Sequence, residues 1–154
     1  WRDFAIISGR RYTNVRPYKL NDADVAIVSM GSTSGTARYA VDELRNRKIK
    51  AGALNVRLFK PWPGPEILRA LKNAKAVAIL DKAMSFGAPG TALFEDIAST
   101  LYGLPKGPTL VNYVYGLGGR DVTMDQIAKA AEDSLKLARQ RKKIVPTRYM
   151  GVRD

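Results

Sequence analysis

From residue 24 onward, short continuous apolar runs alternate with stretches in which apolar residues recur every three or four positions. The four runs are residues 25–30, 53–59, 76–80 and 109–115. Each run is short and rich in branched residues, without the polar alternation of a strand that has one face in water. The pattern predicts four strands that are buried on both faces.

Each run is followed by a turn rich in Gly or Pro and then by apolar residues at helical spacing. The four apolar helix faces are formed by Ala37, Ala40, Val41 and Leu44; by Ile67, Leu68 and Leu71; by Ala92, Leu93, Ile97 and Leu101; and by Ile127, Ala130, Ala131, Leu135 and Leu137. Pro65 suits the first turn of the second helix, and Thr123 suits the N-cap of the fourth. Alternating strands and helices predict one α/β domain over residues 24–138, a doubly wound, mainly parallel sheet with helices on both faces.

In such a sheet, ligands bind or partners dock beyond the carboxyl ends of the strands, where the strand order reverses. Four segments are expected to meet at that edge, residues 31–35, 60–65, 81–90 and 116–121. Residues 1–23 lie outside the repeat, and we expect an extended, basic and partly apolar lead-in that packs against a neighbour. Residues 139–154 are expected to form a basic C-terminal arm.

The net charge of +12 is concentrated near the two ends of the chain. Residues 1–20 carry five Lys or Arg and one acid, residues 136–154 carry seven and one, and the remaining 14 basic and 12 acidic residues leave the middle at +2. This distribution indicates docking extensions or solvated charge on a nearly neutral body. Nucleic-acid binding is the less favoured alternative, because no recognised nucleic-acid motif accompanies the basic residues.

The composition excludes several kinds of site. Without Cys or His, the chain cannot build a thiolate nucleophile, a disulfide, a Cys-held cluster or a His-based catalytic triad. Absence of Cys fits a reducing compartment, so we expect the cytoplasm. No apolar stretch approaches the roughly 20 residues that span a bilayer. The first residue is Trp1, so we expect a processed chain or a piece of a longer polypeptide.

One candidate binding site follows the first predicted strand. Ser32, Thr33 and Ser34 lie between Gly31 and Gly35, where hydroxyls, backbone N–H groups and the positive end of a helix dipole come together. The segment matches neither of the glycine-rich phosphate motifs, and small polar residues also serve simply as turn and cap. An anion site and a structural turn are both open interpretations.

Three further segments have a chemical and a structural interpretation each. Arg120 follows three glycines in four residues, so its guanidinium is either presented to a carboxylate or phosphate or belongs to a flexible loop with a surface pair to Asp121. The Asp81-Lys82 pair offers an acid and an amine, although a strand-end Asp is often a turn former. Lys60 and Trp62, among three prolines, suit packing better than an interface anchor.

The residues at the ends of the predicted strands resemble those of a known family. The matching stretches are VAIVSMGS (25–32), VRLFKPWP (56–63), LDK (80–82) with SFGAPG (85–90), and YGLGGRDVT (115–123). In sequence and order they are similar to the alpha subunit of pyruvate (2-oxoacid):ferredoxin oxidoreductase, from about residue 22 to 135. The match is to its C-terminal domain, which is similar to the transketolase C-terminal domain.

The resemblance implies oxidative decarboxylation of pyruvate, or a related 2-oxoacid, with coenzyme A to give an acyl-CoA, carbon dioxide and reduced ferredoxin, or the reverse synthesis. It also implies thiamine diphosphate, Mg²⁺ and [4Fe–4S] clusters in the complete enzyme. This chain has no Cys and no GDG…N stretch, so we expect it to hold none of these cofactors, to contribute no catalytic residue or metal ligand, and to serve as an assembly domain.

The expected partners are therefore the other domains or subunits of the oxidoreductase, with ferredoxin reached through the complex and no membrane involved. Ser32, Thr33, Ser34 and Arg120 are the candidate residues for an anion or for coenzyme A nearby. A stand-alone α/β module that binds a phosphate ligand or nucleic acid is the alternative.

Overall fold

The computed structural model describes residues 1–140 and 145–152. Its helices are α1 (Arg2–Ser8), α2 (Thr33–Asn46), α3 (Gly64–Leu71), α4 (Ala92–Leu101) and α5 (Met124–Arg139). Its strands are β1 (Val15–Tyr18), β2 (Val25–Ser29), β3 (Ala51–Val56), β4 (Ala76–Asp81), β5 (Thr109–Val114) and β6 (Arg148–Tyr149). No described helix is long and apolar enough to cross a membrane.

The six strands form one sheet in the order β1-β3-β2-β4-β5-β6. All neighbouring pairs are parallel except β1 with β3, which are antiparallel. The four predicted strands are the central ones, and each predicted helix follows its strand. The doubly wound, mainly parallel α/β fold predicted from the sequence is confirmed.

Two apolar layers cover the two faces of the sheet. On one face, α2 and α5 pack against side chains such as Ile27 and Ala78; on the other, α3 and α4 pack against Val28 and Ile79. Alternate residues of one strand thus enter opposite layers, as the pleat requires. The apolar runs are continuous because both faces of the sheet are buried.

The N-terminal segment differs from the extended structure expected for residues 1–23. Residues Arg2–Ser8 form a helix with no buried residue, so that expectation is wrong for them. The helix ends at Gly9, whose φ of 68° is left-handed and suits a glycine C-cap. Residues Val15–Tyr18 then join the sheet as its antiparallel edge strand, with Pro17 where an edge strand tolerates it.

The C-terminal arm also contributes to the sheet. Strand β6 pairs in parallel with the end of β5, with Tyr113 opposite Arg148. Asn112 donates from its side-chain amide to the Thr147 hydroxyl at 3.0 Å, which fastens the arm from inside the domain. Residues 141–144 and 153–154 of the expected arm, which include much of its charge, lie outside the described residues.

Candidate functional site

The carboxyl ends of β2 to β5 form one edge of the sheet, here called the carboxyl edge. Strand β3 lies on one side of β2 and β4 on the other, so the strand order reverses between β2 and β4. Segments 31–35 and 81–90 flank this reversal. The usual binding crevice of a doubly wound sheet would lie between them.

A buried hydrogen bond at the carboxyl edge joins the start of α2 to the segment after β5. The hydroxyl groups of Thr33 and Tyr115 lie 2.6 Å apart, and the two residues are 5% and 3% exposed. Burial raises the pKa of Tyr115 above its ordinary value, although the hydrogen bond to Thr33 acts in the opposite direction. The Lys82 ammonium covers the Tyr115 ring at 5.8 Å from its centroid. The Thr33 hydroxyl thus joins the start of α2 to the segment after β5 in a buried contact.

The other two hydroxyl candidates lie on a pocket beside the crevice. Ser32 is exposed at the start of α2, and Ser34 is buried with its hydroxyl 3.2 Å from that of Ser29. The pocket has a volume of about 280 Å³ and opens where β1, β2, β3 and α2 meet. Its lining comprises Arg16, Tyr18, Ser29, Gly31, Ser32, Ser34, Gly35, Arg38, Ala53 and Asn55. We call it the β1–α2 pocket.

Arg120 is directed to a different place. Its guanidinium donates a short hydrogen bond to the backbone carbonyl oxygen of Gly151, in the turn after β6. Neither the described ion pairs nor the described hydrogen bonds join it to Asp121. The surface-pair interpretation is wrong, and this guanidinium holds the C-terminal arm instead of meeting Ser32 and Ser34.

Asp81 is a capping residue. One carboxylate oxygen accepts from the Lys82 backbone N–H at 2.8 Å, and the other accepts from the Leu93 N–H at 3.3 Å. Thr91 completes the cap of α4 by accepting from the Phe94 N–H at 3.3 Å. Both oxygens of Asp81 satisfy helix or turn donors, which supports the structural interpretation of the pair with Lys82.

Lys60 and Trp62 pack the β3–α3 turn onto α4. The Lys60 ammonium pairs with Asp96 at 2.8 Å, and the Trp62 indole N–H donates to Thr100 at 2.7 Å. Phe59 meets the Trp62 ring edge-on, with centroids 5.9 Å apart. These contacts support the packing interpretation over an interface anchor.

Exposed apolar side chains are concentrated at the carboxyl edge. Strand β1 begins at this edge because it runs antiparallel to β3, and Trp1 of the preceding segment donates to Asn14 there. Eight of the ten large apolar side chains exposed in the described residues belong to segments at this edge, the exceptions being Tyr39 and Tyr102. The eight are Trp1, Phe4, Ile6, Ile7, Phe86, Leu117, Tyr149 and Val152. Such a concentration is typical of a docking surface.

Three residues of the β1–α2 pocket were missed in the sequence. Arg16 and Asn55 face each other across the β1–β3 pairing, and Arg38 lies one turn into α2. Arg16 is recognisable only as part of the basic lead-in, and nothing local distinguishes Asn55. The signal that would have found them is the pairing of β1 with β3, which is not visible in either segment alone.

The donor set does not fit the metal and cluster chemistry that the family resemblance implies. The chain has no Cys, so it cannot ligate an iron–sulfur cluster through thiolates. Among residues 1–140 and 145–152, no group of three carboxylates is arranged to hold a metal ion.

Known proteins match this chain in sequence over most of its length. A sequence model of the pyruvate:ferredoxin oxidoreductase core domain II matches residues 23–127. The chain is 40% identical over 99% of its length to the pyruvate synthase subunit PorA of Thermotoga maritima, and covers 38% of that relative. It is 38% identical over 88% of its length to the ketoisovalerate oxidoreductase subunit VorA of Pyrococcus abyssi, and covers 34% of it. The chain thus spans little more than a third of these relatives.

Solved structures show the same fold. A split-gene transketolase aligns with a TM-score of 0.62 at 20% identity, over 84% of this chain and 45% of that one. A 2-oxoglutarate:ferredoxin oxidoreductase from Magnetococcus marinus aligns with a TM-score of 0.60 at 21% sequence identity. The alignment covers 87% of this chain and 21% of that one. The fold is that of the transketolase C-terminal domain. The chain belongs to the family of pyruvate:ferredoxin oxidoreductase core domain II.

Proposed function

We propose that this chain is an assembly domain of a pyruvate (2-oxoacid):ferredoxin oxidoreductase and docks through its carboxyl edge onto the domains that carry the chemistry. The observation that supports this role is the concentration of exposed apolar side chains at that edge. Phe86 is the most exposed of them, at 106%. Water-exposed aromatic residues at a strand-end loop gain most when a partner covers them.

The proposed reaction of the complete enzyme is oxidative decarboxylation of a 2-oxoacid with coenzyme A, reducing ferredoxin, or the reverse synthesis. Pyruvate is favoured as the 2-oxoacid, because relatives from Thermotoga maritima, Pyrococcus furiosus and Methanosarcina barkeri are pyruvate synthase subunits. Thiamine diphosphate, Mg²⁺, [4Fe–4S] clusters and coenzyme A would be held by the other domains and subunits. A cytoplasmic location is part of the same proposal.

The test compares two exposed aromatic residues on opposite edges of the sheet. In the complete oxidoreductase, purified without oxygen, Phe86→Ser removes an aromatic side chain from the carboxyl edge, and Tyr102→Ser removes one that is 91% exposed at the end of α4. Assembly is measured by native mass spectrometry over a dilution series, and activity by 2-oxoacid-dependent ferredoxin reduction.

We expect Phe86→Ser to weaken subunit or domain association by about tenfold or more, the usual effect of removing an aromatic anchor. Tyr102→Ser should leave association and activity unchanged. Equal behaviour of the two variants would contradict docking through the carboxyl edge. Co-purification with nucleic acid, in amounts that fall steeply with salt, would favour the alternative function.

A further inference from the structure

The β1–α2 pocket has a polar lining that the assembly role does not use. Its two charged residues are Arg16 and Arg38, and no carboxylate lines it. In the described part of the chain, neither guanidinium belongs to an ion pair. Two guanidinium groups on one concave surface, with no carboxylate in its lining, favour an anionic ligand.

Arg38 is held in place by its neighbours. Its guanidinium carbon lies 4.5 Å from the centroid of the Tyr18 ring, within the range of a cation–π contact. The Tyr18 hydroxyl donates to Asp42 at 2.8 Å, and Lys19 pairs with the same carboxylate at 2.6 Å. The Asp42 carboxylate therefore has its hydrogen bonds to Tyr18 and Lys19, and it interacts with the Arg38 charge without forming an ion pair with it.

One residue that lines the pocket, Asn55, has a buried polar atom without a partner. The side-chain carbonyl oxygen of Asn55 is buried and accepts no hydrogen bond from any described residue. Such an atom is rare in a folded protein and calls for a donor. Beside it, Ser29 and Ser34 are 1% and 7% exposed and bond to each other. The pocket therefore combines positive charge at its rim with a buried, unpaired acceptor on one of its lining residues.

The backbone adds to the positive character of the rim. Ser32 is the N-cap of α2, a helix of 14 residues, and its side chain makes no capping hydrogen bond. It follows Gly31, which has a φ of 63°. The positive end of the helix dipole is on this side of the pocket. The Ser34 and Gly35 N–H groups already donate to the carbonyl oxygens of Gly31 and Ser32 at 3.2 and 2.9 Å, so the dipole is the main contribution of the backbone. A Cβ added at Gly31 or at Gly35 would meet no atom within 4 Å, so there is room at this end.

We propose that the β1–α2 pocket binds a small phosphate-bearing molecule. Arg16, Arg38 and the start of α2 would hold the phosphate, and a hydroxyl or N–H of the ligand would donate to Asn55. The volume of about 280 Å³ is at the lower limit for small-molecule pockets and restricts the ligand to a few heavy atoms beyond the phosphate. Of the hydroxyl candidates, Ser32 and Ser34 belong to this site and Thr33 does not.

The first test measures binding of inorganic phosphate and of glycerol 3-phosphate to the complete oxidoreductase by ³¹P NMR titration at constant ionic strength. Arg16→Gln and Arg38→Gln should each weaken phosphate binding by about three- to tenfold, as expected for loss of a charge-assisted hydrogen bond at a partly open site. The matched control is Arg69→Gln, an exposed arginine on α3 that does not line the pocket. Equal weakening in all three variants would overturn the proposal, because it would show general charge attraction.

Ser32→Asp separates binding from folding. A carboxylate at the start of α2 is favourable for the helix dipole and should preserve or raise the melting temperature. The same carboxylate should repel the phosphate and weaken its binding by about tenfold or more. A variant that binds phosphate like the unmodified protein would contradict the proposed position of the ligand.

The role of Asn55 has its own measurement. We expect glycerol 3-phosphate to bind more tightly than inorganic phosphate, and Asn55→Leu to remove that preference while keeping phosphate binding. A carboxylate of a neighbouring domain is another negatively charged group that could enter the pocket. Acetate is the probe for that carboxylate. If acetate binds as tightly as phosphate, the pocket accepts an acidic side chain of a neighbouring domain, and the small-molecule proposal is wrong.

Discussion

The two edges of the sheet use their side chains differently. At the amino edge, where the parallel strands begin, charges are paired: Lys75 lies 2.9 Å from Asp24, and Arg45 lies 2.6 Å from Asp22. At the carboxyl edge, large apolar side chains are exposed, and arginines line a pocket without a carboxylate. Both edges belong to one small domain with the same two apolar layers. In the described residues the two edges thus differ in degree: the carboxyl edge has one ion pair, between Lys60 and Asp96, but most of the exposed large apolar side chains, whereas Tyr102 is the exposed aromatic residue that the amino edge contributes.

The glycines follow the same division. Most glycines with a left-handed φ lie in turns at the carboxyl edge, where Gly116, Gly118 and Gly119 follow β5. Near the amino edge, Gly52 in β3 has another role: a Cβ there would come within 2.6 Å of the Lys19 carbonyl oxygen. Glycine thus permits sharp turns at one edge and close backbone packing at the other.

The largest expected effect on stability comes from adding a methyl group at Gly52, where the backbone packs closely. Gly52→Ala should lower the free energy of unfolding by about 1–3 kcal/mol, because the Cβ would meet backbone atoms of Lys19 and Leu20 at less than 3.0 Å. The matched control is Gly35→Ala in α2, where no atom lies within 4 Å, and which should gain about 0.5–1 kcal/mol. Urea unfolding of both variants measures the difference. Equal changes in the free energy of unfolding for the two variants would contradict the different roles of glycine at the two edges.

Thr33→Val tests the buried hydrogen bond between the start of α2 and the segment after β5 at the carboxyl edge. The substitution keeps the shape and leaves the Tyr115 hydroxyl buried without its partner, so we expect a loss of about 1–3 kcal/mol of stability. Adding Tyr115→Phe should recover part of that loss, since both polar groups are then gone. No change in the urea midpoint of the single variant would mean that the bond contributes nothing to stability.

A smaller, pH-dependent effect should come from the two tyrosines of this region. Burial raises the pKa of Tyr113 and of Tyr115 above the ordinary 10.0. The unfolded chain loses these protons at lower pH than the folded one, so stability is complete below about pH 10 and falls above it. The free energy of unfolding between about pH 8 and about pH 11 measures the loss. Tyr115→Phe should reduce this loss of stability at high pH. Tyr39 is exposed, and the control variant Tyr39→Phe should leave the loss unchanged.

The smallest effect on stability is expected from breaking the ion pair between Arg45 and Asp22 at the amino edge. The hydrogen bond from Arg45 holds the pKa of Asp22 below its ordinary 3.8. Any stability from this pair is present above the ordinary pKa and disappears as the pH falls through the lowered one. Arg45→Gln should move the Asp22 pKa up towards 3.8, measured by NMR titration of the carboxyl carbon. An unchanged pKa would show that water screens the pair completely.

The fold could be predicted where burial dictates the pattern. The runs that became β2, β3, β4 and β5 are apolar because helices cover both faces, and Thr123 caps α5 through a reciprocal bond with Gln126. Helix α1 was missed because it buries no residue and shows no core-facing pattern. Strand β1 contains Pro17 and is only half-covered, and β6 has two residues, so neither resembles a central strand.

The site was predictable only where it is local. The serines after β2 were identified because a strand, a glycine turn and a helix follow one another in the sequence. Arg16 and Asn55 come together through strand pairing, which depends on contacts far apart in the chain. Arg120 was named as a candidate for an anion, beside a loop interpretation, because its glycines are unusual, whereas its hydrogen bond to Gly151 depends on where the C-terminal arm returns.

The most direct test of docking through the carboxyl edge is hydroxyl-radical footprinting of the complete oxidoreductase. The reactivity of Phe86 and Leu117 is compared with that of Tyr102, which this domain exposes at the opposite edge. We predict strong protection of Phe86 and Leu117 and full labelling of Tyr102. Full labelling of Phe86 and Leu117 together with protection of Tyr102 would contradict the account and assign docking to the other edge.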